Sequence, residues 1–226
     1  MTINEYFGDW NTVIDLDEVQ RLVARLQKEN NLCPKASHTF KAFHLCPLNS
    51  LRVVILGQDP YPDYVKDNPR ATGIAFANAS ETLEKDYSPS LRIIMESVID
   101  FSVPHKSIIF DPTFEHWERQ GVLMLNSALS CTRGKPGSHS LMWRPFIRNF
   151  LTNLSGSTAG IVYLLMGSAA QSFEQYINHT SNHVLRCEHP SYCARTGKPL
   201  SSEIWKEINA ILVNQNGNGI QWYIEQ

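Results

Sequence analysis

The stretch Val53-Val-Ile-Leu-Gly57-Gln-Asp59-Pro-Tyr-Pro62 decides how this chain is read. Four β-prone residues in succession, with no polar alternation, mark a strand buried on both faces, as in a parallel sheet covered by helices. The run stops at Gly57. Pro60 and Pro62 then each fix a backbone dihedral and restrain the residue before them. Asp59 is thereby held at a strand end, where open α/β sheets place their ligands. An Asx-type turn, in which the carboxylate only bonds nearby amides, fits the same spacing.

Outward from this stretch, apolar runs at 122–125, 161–165 and 184–187 join the first at 51–56. Helical periodicity lies around and between them. Leu91, Ile94, Met95, Val98 and Ile99 recur at three- and four-residue spacing within 90–101, as do Leu16, Val19, Leu22, Val23 and Leu26 within 15–29. Stretches 113–120, 143–153, 168–178 and 201–214 behave similarly. The alternation predicts an α/β fold: a single three-layer domain, residues 1–226, with a central, mostly parallel four-stranded sheet flanked by helices. No internal repeat or Pro-, Gly- or Ser-rich linker divides it.

A hydrophobic share of 42% with 19% charge fits a globular chain. No apolar run approaches the roughly 20 residues of a membrane span. The first residues lack the basic-then-apolar pattern of a signal peptide, so a cytoplasmic location is expected. The five cysteines are widely spread with no Cys-x-x-Cys pair. That argues against a disulfide framework, a structural zinc or an iron–sulfur cluster, and reduced thiols are expected. A net charge of −2 provides no global basic field, so any nucleic acid must be recognised through local contacts.

Each strand run ends in polar or special residues: Gly57-Gln58-Asp59, Asn126-Ser127, Gly167-Ser168 and Glu188-His189-Pro190-Ser191. Parallel strands would bring all four to one crevice. Taken singly, Asn126 suits a turn, Gly167-Ser168 a helix N-cap and His189 an ordinary loop. Their shared position at strand ends favours a site.

These residues resemble the family-1 uracil-DNA glycosylases over roughly residues 30–205. Gly57-Gln58-Asp59-Pro60-Tyr61 is similar to the family's water-activating loop, and Gly73 to Asn78 to the segment carrying its stacking phenylalanine, here Phe76. Ser88-Pro89-Ser90-Leu91 resembles the loop that compresses the DNA backbone. Gly121 to Asn126 ends in the position of the uracil-reading asparagine, and Gly134 to His139 matches the loop that follows. Leu164 to Ser168 resembles the Gly-Ser loop, and His189-Pro190-Ser191 the minor-groove loop.

The resemblance implies a cofactor- and metal-independent monomer that hydrolyses the N-glycosidic bond of flipped-out deoxyuridine and leaves an abasic site. Asp59 would orient or deprotonate water and face the cationic sugar. His189, with the backbone amide of Gln58, would stabilise the departing uracil anion at O2. Asn126 would read N3–H and O4, provided its amide is pinned, Tyr61 would exclude a methyl at C5, and Phe76 would stack on the base. Ser90, Ser168 and Ser191 would contact phosphates, with Arg133, Lys135 and Arg195 as further candidates. Implied partners are uracil-containing single- or double-stranded DNA and a DNA-mimicking inhibitor protein, with no membrane. No lysine falls at a matched motif position to form a Schiff base, which favours hydrolysis over lyase chemistry.

Three departures stand out. Pro62 occupies the place of a histidine that helps hold the water, leaving Asp59 with His139 as the remaining candidate. Stretch 63–72 is longer than the usual connection and carries Asp67 and Arg70. The wedge leucine's position falls on Cys193, with Tyr192 or Arg195 as substitutes, so duplex DNA should suffer more than single strands. The alternatives are a catalytically weakened homologue that binds uracil-DNA or a partner, and a hydrolase of free nucleosides.

Overall fold

The computed structural model describes residues 2–99 and 107–225. Four strands, Val53–Gly57 (β1), Val122–Asn126 (β2), Val162–Met166 (β3) and His183–Cys187 (β4), form one parallel sheet in the order β2-β1-β3-β4. Val53 stands opposite both Val122 and Val162, and Val162 opposite His183. All four sequence-predicted strands are present, with shifts of one or two residues at their ends.

The sheet is two-faced because side chains alternate across it. Val54, Leu56, Leu123, Leu125, Tyr163 and Leu165 enter one core, with Trp10, Phe43, Trp143 and Phe150. Val53, Ile55, Val122, Met124, Val162 and Leu164 enter the other, with Leu91, Ile94, Trp117 and Trp205. Every residue of β1, β2 and β3 is buried, whereas β4 is half exposed at the sheet's edge. Each fully buried Val, Leu or Ile contributes about 1.5–3 kcal/mol.

The helices used below are α1 (Leu16–Leu26), α2 (Pro89–Val98), α3 (Ser140–Ser157), α4 (Gly167–Gln171), α5 (Pro190–Thr196) and α6 (Glu203–Asn216). Helices α1 and α3 cover the first core, α2 and α6 the second. Asp15 caps α1, its carboxylate accepting from Asp17 N at 2.9 Å and Glu18 N at 3.2 Å. The predicted helix 90–101 extends past α2 into residues outside those described. Two other expected helices are shorter than their patterns. Only Glu115–Glu118 is regular α-helix within 113–120, and 168–178 divides into α4 and a 3₁₀ turn at Glu174–Tyr176.

The insertion at 63–72 is an ordered hairpin, Tyr64–Val65 against Asn68–Pro69. Arg70 Nε bonds Asp63 Oδ2 at 2.5 Å, Tyr64 Oη donates to Leu32 O at 3.1 Å, and the Arg133 guanidinium lies 4.3 Å from the Tyr64 ring centroid. Arg133 is thus engaged in bracing this hairpin. All five cysteines are free thiols, and only Cys187 is not fully buried. No helix among the described residues is long and apolar enough to cross a membrane.

Candidate active site

The C-terminal ends of the parallel strands meet on one edge, and backbone bonds stitch the first two together. Ser127 N donates to Gly57 O and Ala128 N to Gln58 O, both at 3.0 Å, while Ser127 Oγ donates to Gln58 O at 2.9 Å. Around these ends lies a cavity of about 360 Å³. Gln58, Asp59, Tyr61, Phe76, Ser90, Asn126, His189 and Ser191 all line it. Ser168 does not. It lines an adjoining groove with Gly167, Tyr192 and Arg195, and that groove shares Gln58, His189 and Ser191 with the cavity.

Gly57 creates room at the strand end. A Cβ on Gly57 would lie 2.6 Å from Asn126 Oδ1 and 2.7 Å from Phe76 Cζ, so only glycine lets amide and ring converge there. The Asn126 amide is buried and makes no hydrogen bond to any described residue, leaving its donor and acceptor for a ligand. The expected pin on its orientation is therefore packing, not a hydrogen bond. Phe76 adopts a left-handed backbone, φ 63°, uncommon for a bulky residue. Its ring centroid stands 5.6 Å from that of His189.

Asp59 is anchored by one oxygen: Gly137 N donates to Oδ2 at 2.5 Å. Burial pushes its carboxyl above the usual range, partly offset by the Gly137 amide and the Gln58 side chain. A carboxylate has about four acceptor sites, so the anchor leaves capacity for water. Gly137 lies within the loop 134–139. No residue-type signal reveals it, because a backbone amide is what donates.

His189 has a defined tautomer. Its Nδ1 accepts from Ser191 N at 3.1 Å, with Ser191 Oγ at 2.8 Å, so the proton of the neutral ring belongs on Nε2. Burial, with the nearby Arg195, pushes its pKa down to about 4. The ring is a neutral hydrogen-bond donor at pH 7. Ser191, expected on a phosphate, is at least as much this imidazole's partner.

Two expectations fail. His139 does not reach the cavity: its Nδ1 pairs with Ser130 Oγ at 2.9 Å, and its Nε2 with Glu29 Oε2 at 2.9 Å and Thr132 Oγ1 at 3.2 Å. Both nitrogens are spent bracing the loop that presents Gly137. Cys193 is not at the surface. The segment after His189 is helix α5, and its turn carries Cys193 into the second core at 1% exposure while Tyr192 faces the groove. Pro62 does line the cavity, its carbonyl accepting from Gly134 N at 2.8 Å.

The C-terminal edge of the parallel sheet thus gathers a carboxylate, a neutral imidazole, a side-chain amide and an aromatic ring around one cavity, the arrangement of an α/β enzyme whose ligand sits at the strand ends. The family model described as the uracil DNA glycosylase superfamily matches residues 43–213, and the chain belongs to that superfamily. It is 37% identical over 194 residues to the uracil-DNA glycosylase of Campylobacter jejuni subsp. doylei, covering 84% of this chain and 79% of that protein. It is 32% identical over 211 residues to that of Mycoplasmopsis pulmonis, covering 92% and 90%. Among solved structures, mimivirus uracil-DNA glycosylase superposes with a TM-score of 0.77 at 20% identity, over 97% of this chain and 91% of that one. A mimivirus variant in complex with UGI superposes equally well, at 0.77, with 22% identity over 91% of this chain and 81% of that one. These two show a shared fold.

Proposed function

We propose that this chain, as a single-domain monomer, is a uracil-DNA glycosylase that releases uracil from DNA and leaves an abasic site. One observation carries the assignment of roles: Asp59 and His189, 130 residues apart in sequence, face the same cavity, with the imidazole proton placed on Nε2. The target nucleotide must leave the duplex stack to enter this slot. Phe76 stacks on the base, and the Asn126 amide takes N3–H and O4. Tyr61 closes the C5 side against a methyl group.

As the bond from C1′ to N1 breaks, positive charge builds on the sugar and negative charge on the base. Asp59, held by Gly137, faces the cationic sugar and directs a water to C1′, accepting its proton. His189 Nε2–H and the Gln58 amide donate to O2 of the uracil anion. A neutral donor suits this task, since an imidazolium would surrender its proton. Ser90 inside the cavity, and Ser168 and Ser191 along the adjoining groove, grip phosphates on either side of the flipped nucleotide. Arg195 lines both surfaces and adds local positive charge. A protein that mimics DNA and blocks this surface is the expected class of inhibitor.

Incubation with a uracil-containing single-stranded oligonucleotide, followed by alkaline cleavage of abasic sites, tests the assignment. Cleavage product from wild type that disappears in Asp59→Asn is the expected result. Wild-type protein that binds the oligonucleotide without product would sink it in favour of a binding protein, and hydrolysis of free uridine alone would make it a nucleoside hydrolase.

A further inference from the structure

Ser88 joins three segments that build the base slot. Its hydroxyl donates to Tyr61 Oη at 2.6 Å, and that phenol donates in turn to the Phe76 carbonyl at 3.0 Å. The phenol has one hydrogen, committed to Phe76, so it must accept from Ser88. The Ser88 amide donates to Asn78 Oδ1 at 2.8 Å, and Asn78, fully buried, donates its own N–H to Pro112 O at 2.9 Å. Ser88 is itself 4% exposed. Both of its polar ends are therefore fixed by buried partners, one on the wall of the slot and one at the end of the segment 73–78 that carries Phe76.

We infer that Ser88 is a positioning residue that locks Tyr61 and Phe76 into the walls of the slot and thereby sets discrimination at C5 of the base. The inference rests on the glycosylase reading above. Tyr61 can reject a substituent at C5 only if its ring cannot swing away, and the ring's sole polar atom is held between Ser88 and Phe76. The same chain of bonds holds the Phe76 carbonyl, at the one lining position with a left-handed backbone that is not glycine. Ser90, two residues beyond Ser88 and at the start of α2, lines the cavity and its side chain also reaches the Tyr61 phenol, so the same turn of chain supports the C5 wall twice. Loss of the Ser88 hydroxyl removes the short bond on the acceptor side of this buried phenol and leaves only the Phe76 carbonyl and the Ser90 side chain to hold the ring.

The test uses oligonucleotides with uracil, 5-fluorouracil or 5-bromouracil at one position, with single-turnover rates for wild type, Ser88→Ala, Tyr61→Phe, the double variant and Ser88→Thr. Ser88→Ala is expected to slow uracil release about tenfold, the scale of one buried hydrogen bond. It should also raise the 5-bromouracil-to-uracil rate ratio by about tenfold. Tyr61→Phe should do the same, the double variant should lose little more, and Ser88→Thr should restore both values. A merely structural serine would lower the melting temperature without moving the ratio. An active wild type whose Ser88→Ala form keeps its rate and ratio overturns the role of Ser88 alone. So do effects of the two single variants that multiply in the double. A wild type inactive on uracil overturns the functional reading and this inference with it.

Discussion

His189 lies against the bare α-carbon of Gly167: a Cβ there would sit 2.6 Å from His189 Cβ and 3.2 Å from its Cδ2. Gly167 also has φ +83°, a conformation that a side chain strains. Gly167→Ala is therefore expected to displace the imidazole and reduce the single-turnover rate by roughly 10²–10³, the loss typical of one oxyanion donor. Binding of abasic DNA should change far less, which an anisotropy titration would show. A rate within a factor of a few of wild type would contradict the placement.

The pH dependence of folding carries the imprint of His189. Its folded value of about 4 lies below the ordinary value of 6.5, so between these the unfolded chain binds a proton that the folded chain does not. The stability it permits is complete above about 6.5 and is lost as pH falls toward 4. Thermal melts across that window should show a shallower slope for His189→Gln. An unchanged slope would mean that the imidazole is not shielded.

Asp59 has the opposite effect on stability. Its folded value is raised, so the ionised form that the proposed mechanism uses costs stability at neutral pH, and the cost is relieved as pH falls. Asp59→Asn should lower the rate by about 10²–10⁴ while leaving the melting temperature equal or higher. The acid limb of kcat/KM should fall above the ordinary carboxylate range and vanish in that variant. A melting temperature several degrees lower would refute the assignment of strain to this carboxylate.

Along the adjoining groove, Tyr192 is 37% exposed, whereas the next residue, Cys193, is 1% exposed. Tyr192→Ala is expected to impair release from duplex DNA more than from single strands, because an exposed ring can fill the stack that a flipped base vacates. Cys193→Leu should not improve duplex activity and should cost about 1–3 kcal/mol through overpacking. Paired kinetics on the two substrates, with a denaturant melt of each variant, would decide both. Better duplex activity in Cys193→Leu would refute the burial of this position.

Legibility followed physical cause. Strands β1 to β3 were plain because burial on both faces leaves uninterrupted apolar runs, and those runs located Asp59, Asn126 and Gly167 at their ends. Strand β4, half exposed, shows a weaker pattern because Arg186 interrupts its run. Cys193 was misread because spacing was counted along a loop, whereas α5 winds that segment and turns the residue inward. His139 was misread because Glu29, Thr132 and Ser130 come from elements whose proximity no local pattern encodes. Gly137 and Ser88 act through an amide and through a contact spanning 27 positions, and neither leaves a trace in residue type.

In the order β2-β1-β3-β4, the Asn126 amide and the His189 imidazole arrive from the ends of the two outermost strands. They stand three inter-strand intervals apart, roughly 14 Å of backbone spacing spanned by side chains. Outer strands open at lower free energy than the sheet as a whole. Fraying of the half-exposed β4 alone is expected to displace His189 while both cores persist. Activity is then expected to fade on warming before the cores melt, and to return on cooling without refolding.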